Sequence, residues 1–376
     1  MNQAQGFLSG NGDIKQCLVV VFLRGGADGL NMVAPLEDDA YHRARPRIAL
    51  SKQEAVSLDG FFGLHPMMSD LHPAYKEGEL LIVHGAGSED STRSHFEAQD
   101  LMEHGGLVAG GWLGRFLRFR PDPADSALSA VAVGKSLPEC LRGAPAASVL
   151  ESLDDFALGD GTKSLERELR KLYAAEAEPL GGAARDTLAA LQRIEELRGT
   201  PYSPEQGANY PDSDFGARFV QVARLIKARV GLEAVSIDLG GWDSHFVQGT
   251  LMDPLMLDLS GSLAAFWKDL GPERENTTVI VMTEFGRRVG ENSAFGTDHG
   301  RGSVMFVMGG SGGVSGGQVM GPWIGLTDEN LVGPGDLPVT NNYRNVLAPI
   351  LQRHGAGDDL SKIFPDFKLD PLPIYS

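Results

Sequence analysis

Six short runs of β-branched and other apolar residues, each running into glycine, constrain this chain more than any other feature. They read CLVVVFL at 17–23, LLIVHGAG at 80–87, SAVAVG at 129–134, AVSIDLGG at 234–241, TVIVMTEFG at 278–286 and SVMFVMGG at 303–310. An apolar run this short, rich in valine and isoleucine and ended by a turn signal, reads as a buried strand. Between the runs lie segments with apolar residues at three- and four-residue spacing, which predict helices over 164–178, 183–199, 214–231, 254–271 and 341–355. The third has an N-cap at Ser213 or Asp214 and ends at glycine, and the last carries a kink or interruption at Pro349. Strands alternating with helices imply an α/β fold, a doubly wound, mainly parallel sheet with helices on both faces. The 376 residues then form one domain, with a helix-rich insertion around 150–212. The polar Pro/Gly loop at 199–214 is long for a connection in a compact domain.

The formal net charge of −17 disfavours nucleic acid and anionic membranes as partners. No apolar run approaches the ~20 residues that cross a bilayer, so no transmembrane segment is expected. The first sixteen residues are polar and carry no visible export signal. Cys17 and Cys140 lie far apart and fit neither a disulfide framework nor a zinc motif; Cys17 reads as a core thiol.

In a fold of this kind ligands bind beyond the carboxyl ends of the strands, so the residues just after each run carry the information. The first run delivers Arg24, Asp28 and Asn31, and the second delivers His84 and then Ser91, Thr92, Arg93, Ser94 and His95. A hydroxyl at a helix start beside an arginine suits an anion or a nascent alkoxide. The same serine and threonine, followed by Glu97, also read as an ordinary capping motif. After the 234–241 run, Asp243 and His245 fall on one face of an extended segment, an oxygen and a nitrogen suited to zinc, manganese or iron. The 278–286 run places Glu284 at its tip with Arg287 and Arg288 behind, and GTDHGRG follows with Asp298 and His299. Loops in series carrying carboxylates or imidazoles favour a metal site over isolated turns, with Asp298 either turning its loop or orienting His299. Gly296 and Gly300 let that loop turn and let another group approach closely.

His65 and His84 read as structural histidines, and His42, His72, His104 and His354 as surface or core. The glycine-rich GGSGGVSGGQVMG at 309–321 lacks the Lys-Ser/Thr of a phosphate loop and reads as a flexible turn or a β-hairpin.

The stretches FLRGGADGLN, GLHP, VHGAGSEDSTRSHFEAQD, GGWDSH, TEFGRRVGENSAFGTDHGRG and DLPVTNNYRNVLAPIL, in that order, resemble the DUF1501 family, which is assigned to the alkaline phosphatase/sulfatase-like superfamily. The resemblance implies a divalent metal, zinc or manganese ahead of calcium or magnesium, as one ion or two. Asp28, Asp243, His245, Glu284 and His299 stand nearest the metal ligands, and Thr92 or Ser94 nearest the nucleophile. Arg24 and Arg93 would bind the non-bridging oxygens. Several positions depart from the superfamily pattern. Arg24 holds the tip of the first strand, Asp243 and His245 are closely spaced, and Glu-Phe replaces Asp-His at 284–285, removing an imidazole. The STRSH loop has no cysteine, so a modified-cysteine sulfatase mechanism has no residue to use.

The implied activity is metal-dependent hydrolysis of phosphate or sulfate esters, with a small anionic ester as substrate. A non-catalytic binding or assembly protein on the same scaffold, and a phosphomutase or phosphotransferase, are the alternatives. Family resemblance alone favours export to a bacterial periplasm, and nothing in the chain points to an oligomeric state.

Overall fold

The computed structural model describes residues 15–122, 126–153, 171–173, 176, 180–310 and 312–375. All six apolar runs are strands of one sheet. Its members are β1 (Cys17–Arg24), β2 (Leu80–Gly87), β3 (Ala130–Val133), β4 (Ser148–Leu150), β5 (Ala234–Gly240), β6 (Thr277–Thr283), β7 (Ser303–Gly309), β8 (Gln318–Met320) and β9 (Asn341–Asn342). The order across the sheet is β8-β2-β7-β6-β1-β5-β3-β4, with β9 also paired to β2. β1 runs parallel to both β5 and β6 at the centre, and every other pairing is parallel except those of β7. β7 lies antiparallel between β2 and β6. The sheet is therefore mixed and mostly parallel. Because β7 is reversed, the residues before it reach the same sheet edge as the residues after β1, β2, β5 and β6.

Six helices of eight residues or more occur among the described residues: α1 (His95–His104), α2 (Trp112–Phe119), α3 (Leu180–Arg198), α4 (Asp214–Lys227), α5 (Gln248–Leu270) and α6 (Tyr343–Arg353). They cover both faces of the sheet. Val19, Val21 and Leu23 of β1 pack in one core with Phe219 of α4 and Met256 and Phe266 of α5. Leu18, Val20 and Phe22 pack in another with Trp112 and Phe116 of α2 and Val346 and Ile350 of α6. The twofold alternation of a strand, applied to an apolar residue at every position, makes these two cores.

Ser213 is the cap of α4, its hydroxyl accepting the Gly216 N–H. The helix around Pro349 is continuous, because the missing N–H frees the Asn345 carbonyl and Leu372 N–H takes it at 3.0 Å. α5 starts at Gln248, six residues before the expected start. The buried Gln248 side chain, bonded to Asp28 and Thr297, anchors that first turn. The glycine-rich 309–321 stretch is not a hairpin, since β8 pairs with β2 and not with β7. It crosses close over the chain, where a Cβ on Gly316 would come 2.3 Å from the Gly78 carbonyl oxygen.

Of the helix-rich stretch around 150–212, the helix expected over 164–178 lies outside the described residues save 171–173, which are helical, and 176, which is not. α3 contributes Ile194 to the core. The long 199–214 loop is ordered by one carboxylate. Asp269 accepts from Tyr202 Oη at 2.6 Å, Tyr210 Oη at 2.8 Å, the Glu205 N–H at 2.7 Å and Lys227 Nζ at 2.6 Å.

Burial alone would raise the Asp269 carboxyl, but Lys227, Tyr202, Glu205 N–H and Tyr210 outweigh it and hold its pKa below the ordinary value. A depressed folded pKa stabilises above the unfolded value and is lost as pH falls through the folded one. Asp269→Ala is therefore expected to lower unfolding free energy by about 3–5 kcal/mol at pH 7. In urea titrations the gap to wild type should narrow below about pH 4; a gap independent of pH would contradict the assignment.

Candidate metal centre

The loops at the shared edge are drawn together by the guanidinium of Arg287, which is fully buried. Its Nε donates to the Gly26 carbonyl at 2.6 Å and Nη1 to the Thr297 carbonyl at 3.1 Å. Nη2 donates to the carbonyls of Gly25 and Trp242 and, at 2.8 Å, to Asp243 Oδ1. Close packing follows, and glycine permits it. A Cβ on Gly25 would come 2.6 Å from the Asp243 nitrogen, and Gly25 has φ of +123°. Gly296 and Gly300 serve approach rather than turning: a Cβ on either would come within 2.4 Å of backbone carbon at His245 or Arg287.

Four side chains converge in front of this guanidinium. Asp243 Oδ1 lies 3.1 Å from His245 Nε2, 3.4 Å from His299 Nε2 and 3.5 Å from His95 Nε2. His245 Nε2 and His299 Nε2 are 2.8 Å apart. The ligand atoms of His95, Asp243 and His299 all lie within 4.8 Å of one another. Ligands around a tetrahedral zinc with bonds of about 2.0–2.1 Å are separated by roughly 3.3 Å, so the spacing about Asp243 Oδ1 suits a small cation.

The ring tautomers follow from what each Nδ1 faces. His299 Nδ1 lies 2.7 Å from the Arg93 carbonyl, which can only accept, so this nitrogen carries the proton. His95 Nδ1 donates to Glu284 at 2.8 Å and His245 Nδ1 to Asp298 at 3.3 Å. With every Nδ1 protonated, three Nε2 lone pairs point at one another and at a carboxylate. That arrangement calls for a shared proton or a cation. His95 Nε2 is buried with no hydrogen-bond partner, as a nitrogen that ligates a cation would be. The donor set and its supporting acceptors fit a metal.

Charges at the centre shift accordingly. Glu284 raises the His95 pKa, mainly through its hydrogen bond. Burial lowers that of His299, with His95 and Arg287 adding to the effect. Burial works against the Asp243 carboxylate, but Arg287, His245 and His95 hold its pKa down at about 2. Asp243 stays half exposed, so the group opens to solvent. A cleft of about 700 Å³ borders it, with Asp298, Arg288, Asn292 and Glu291 in the wall.

The residues singled out in sequence divide into three groups. Asp243, His245 and His299 meet as ligand candidates. Glu284 lies behind them, its Oε1 accepting from His95 Nδ1, Gln99 Nε2 at 2.9 Å and the Gly25 N–H at 2.9 Å. Asp28, expected as a ligand, instead forms a buried ion pair with Arg45 at 2.6 and 3.0 Å and accepts from Gln248 at 2.7 Å. Arg24, expected on the substrate, is held by Glu103, Asp238 and Gln99. Arg93 is likewise engaged, by Asp336 at 2.5 Å and the His299 carbonyl. Ser94 caps α1 by accepting the Glu97 N–H, and Thr92 Oγ1 donates to Glu97 at 2.7 Å. His84 is structural, as expected: its Nε2 meets the Val33 carbonyl, its ring stacks on Phe62, and burial lowers its pKa to about 4.

His95 is the residue that sequence reasoning passed over as a ligand. It supplies an imidazole to a chain with phenylalanine at 285, and Phe285 packs its ring against both His95 and His299. A signal was present. His95, Gln99 and Glu103 recur at four-residue spacing, and this polar stripe faces inward to Glu284 and Arg24.

Two substitutions separate the roles of the acids. Asp28→Asn should lower stability by about 3–5 kcal/mol in chemical denaturation while leaving metal stoichiometry unchanged. Asp243→Asn should abolish metal retention with a smaller loss of stability. Loss of metal in the Asp28 variant would return Asp28 to the ligand set.

Comparisons with known proteins bear on identity. No curated protein gives a significant match. Among solved structures, the chain is similar to a putative sulfatase from Bacteroides thetaiotaomicron VPI-5482, at 10% identity over 96% of this chain and 76% of that one, with a TM-score of 0.40. A sulfatase from Pseudoalteromonas sp. aligns at 12% identity over 81% and 64%, with a TM-score of 0.36. Alkaline phosphatase from the Antarctic bacterium TAB5 aligns at 10% identity over 78% and 92%, with a TM-score of 0.29. At such scores the fold assignment rests on the sheet itself. A family model described as Protein of unknown function (DUF1501) matches residues 81–355, a span that takes in His95, Asp243, His245, Glu284 and His299. Since the match spans well over half of the 376 residues, this chain belongs to the DUF1501 family.

Proposed function

We propose that this protein is a metal-dependent hydrolase of phosphate or sulfate esters, working with one divalent cation held by His95, Asp243 and His299, with His245 as a further nitrogen donor. The observation that carries the reading is the convergence of three imidazole Nε2 atoms on Asp243 Oδ1 while each Nδ1 is held by an oxygen. Three nitrogens and one carboxylate suit zinc better than calcium or magnesium. Asp28 and Glu284 do not offer a second ion a ligand set, because Asp28 is neutralised by Arg45 and Glu284 is occupied by His95 and Gln99. The ester class comes from the resemblance of the loops in sequence.

A cation in this place would polarise an ester oxygen. The chain's own groups do the rest. Glu284, Asp298 and the Arg93 carbonyl keep the three rings oriented, and Arg287 fixes Asp243. Of the two candidate hydroxyls, Thr92 has a base at hand, since Glu97 accepts its hydrogen bond. The Ser94 oxygen is committed to the helix cap. Thr92 is accordingly the nucleophile in this reading, and Arg288, which lines the cleft and pairs with Asp298 at 3.4 Å, is the charge assigned to an ester oxygen.

Protein purified without chelator should contain close to one zinc per chain and hydrolyse members of a phospho- and sulfo-ester panel. Alanine at His95 or His299 should remove both metal and turnover. Glu284→Gln should weaken zinc about 10–100-fold. Thr92→Ala should abolish covalent labelling by substrate, while Ser94→Ala should cost about 1 kcal/mol of stability and keep the label. Metal-free protein that stays inactive when zinc, manganese, magnesium and calcium are supplied defeats the reading.

A further inference from the structure

The loops that carry the ligand candidates also carry apolar side chains turned to water. Nine large hydrophobic residues are exposed among the described residues, and four of them sit in these loops or in the first turn of α1. Phe96 follows His95 and is 84% exposed. Phe246 and Val247 follow His245, and Phe295, which is half exposed with the Arg47 guanidinium 4.1 Å from its ring centroid, precedes Asp298 and His299. Single exposed apolar residues are normal on a protein surface, but four beside one centre are not scattered.

The backbone supplies a second, independent sign. Val247 has φ of +44° and Phe295 φ of +60°. The left-handed region is strongly disfavoured for a β-branched or bulky residue, and such outliers gather at functional sites. Here the two strained residues face each other across the ligand-bearing loops. Val247 N–H donates to the Ala294 carbonyl at 2.9 Å, and Gln248 N–H donates to the Phe295 carbonyl at 2.8 Å. Two hydrogen bonds thus hold both residues in conformations that leave their side chains outside the core.

We infer that Phe96, Phe246, Val247 and Phe295 form an apolar rim that binds a hydrophobic substituent of the substrate, so that the preferred esters carry an alkyl or aryl group next to the anionic head. This rests on the hydrolase reading for the position of the head at the metal centre. The occupant is argued from continuity: Phe96 and Phe246 each adjoin a ligand candidate in sequence, and the charged cleft lies on the side of Asp298.

The test uses the zinc-loaded full chain and the non-hydrolysable series methyl-, propyl- and hexylphosphonate, with affinity measured by calorimetry. Affinity is expected to rise about three- to fourfold per methylene over the part of the chain that the rim covers. The double variant Phe96→Ser/Phe246→Ser, at exposed positions and checked for an unchanged melting temperature, should flatten the series and keep methylphosphonate affinity within about twofold of wild type. A flat series in wild type, or an unaltered slope in the variant, overturns the proposal and leaves the rim to another partner. If no phosphonate of any length binds, the rim proposal falls together with the hydrolase reading. If binding depends on length but no ester is turned over, the hydrolase reading falls and the rim stands.

Discussion

One buried guanidinium organises this protein's working edge. Arg287 donates to carbonyls of the loop after β1, the loop after β5 and the loop before β7, and from its own place after β6 it also reaches Asp243. A fully desolvated arginine is costly unless all its donors are matched. Four backbone oxygens and a carboxylate match them here. The same bonds that satisfy Arg287 bring loops from distant parts of the chain to one point, and they require glycine where the backbones touch. The ligand candidates are therefore positioned by a cation that belongs to the protein, whatever else they bind.

Around that hub, groups behind the rings settle the chemistry of those in front. Glu284, Asp298 and the Arg93 carbonyl each take an Nδ1 proton, which forces the Nε2 lone pairs inward. Arg24 supports the arrangement at one remove, since its bonds to Glu103 and Gln99 hold α1 against the sheet and with it His95. The carboxylate of Asp28 stabilises a neighbouring junction, where Arg45 also binds the carbonyls of Arg288 and Val289. Acids that look alike in sequence thus divide between ligand candidate, ring support and structural ion pair according to which groups reach them.

Much of the fold was legible without coordinates. The six apolar runs are strands because valine-rich segments that can be buried on both faces have little else to do. Asp243 and His245 share a face because an extended segment alternates. His299 lies at the same sheet edge although it precedes its strand, where the rule for parallel sheets looks beyond strand ends; the reversed direction of β7 brings it there. His95 was passed over because its surroundings read first as a capping motif, and that motif is real: Ser94 does cap the helix. The pairing of Asp28 was not legible, because Arg45, seventeen residues on, gives no sign in sequence that it returns to pair with it.

The sequence by itself determined six of the nine strands of the main sheet, most helices, the two-sided core and the set of loops that carry the ligand candidates. These follow from local periodicity, turn residues and burial, which are properties of neighbouring residues. Tertiary structure alone decided which acid meets which cation, that β7 runs against its neighbours, and that three imidazoles rather than two converge on Asp243. Those outcomes depend on pairings between residues tens to hundreds of positions apart. Electrostatic attraction and desolvation act through space, and a linear pattern does not record which charges will be close when the chain has folded.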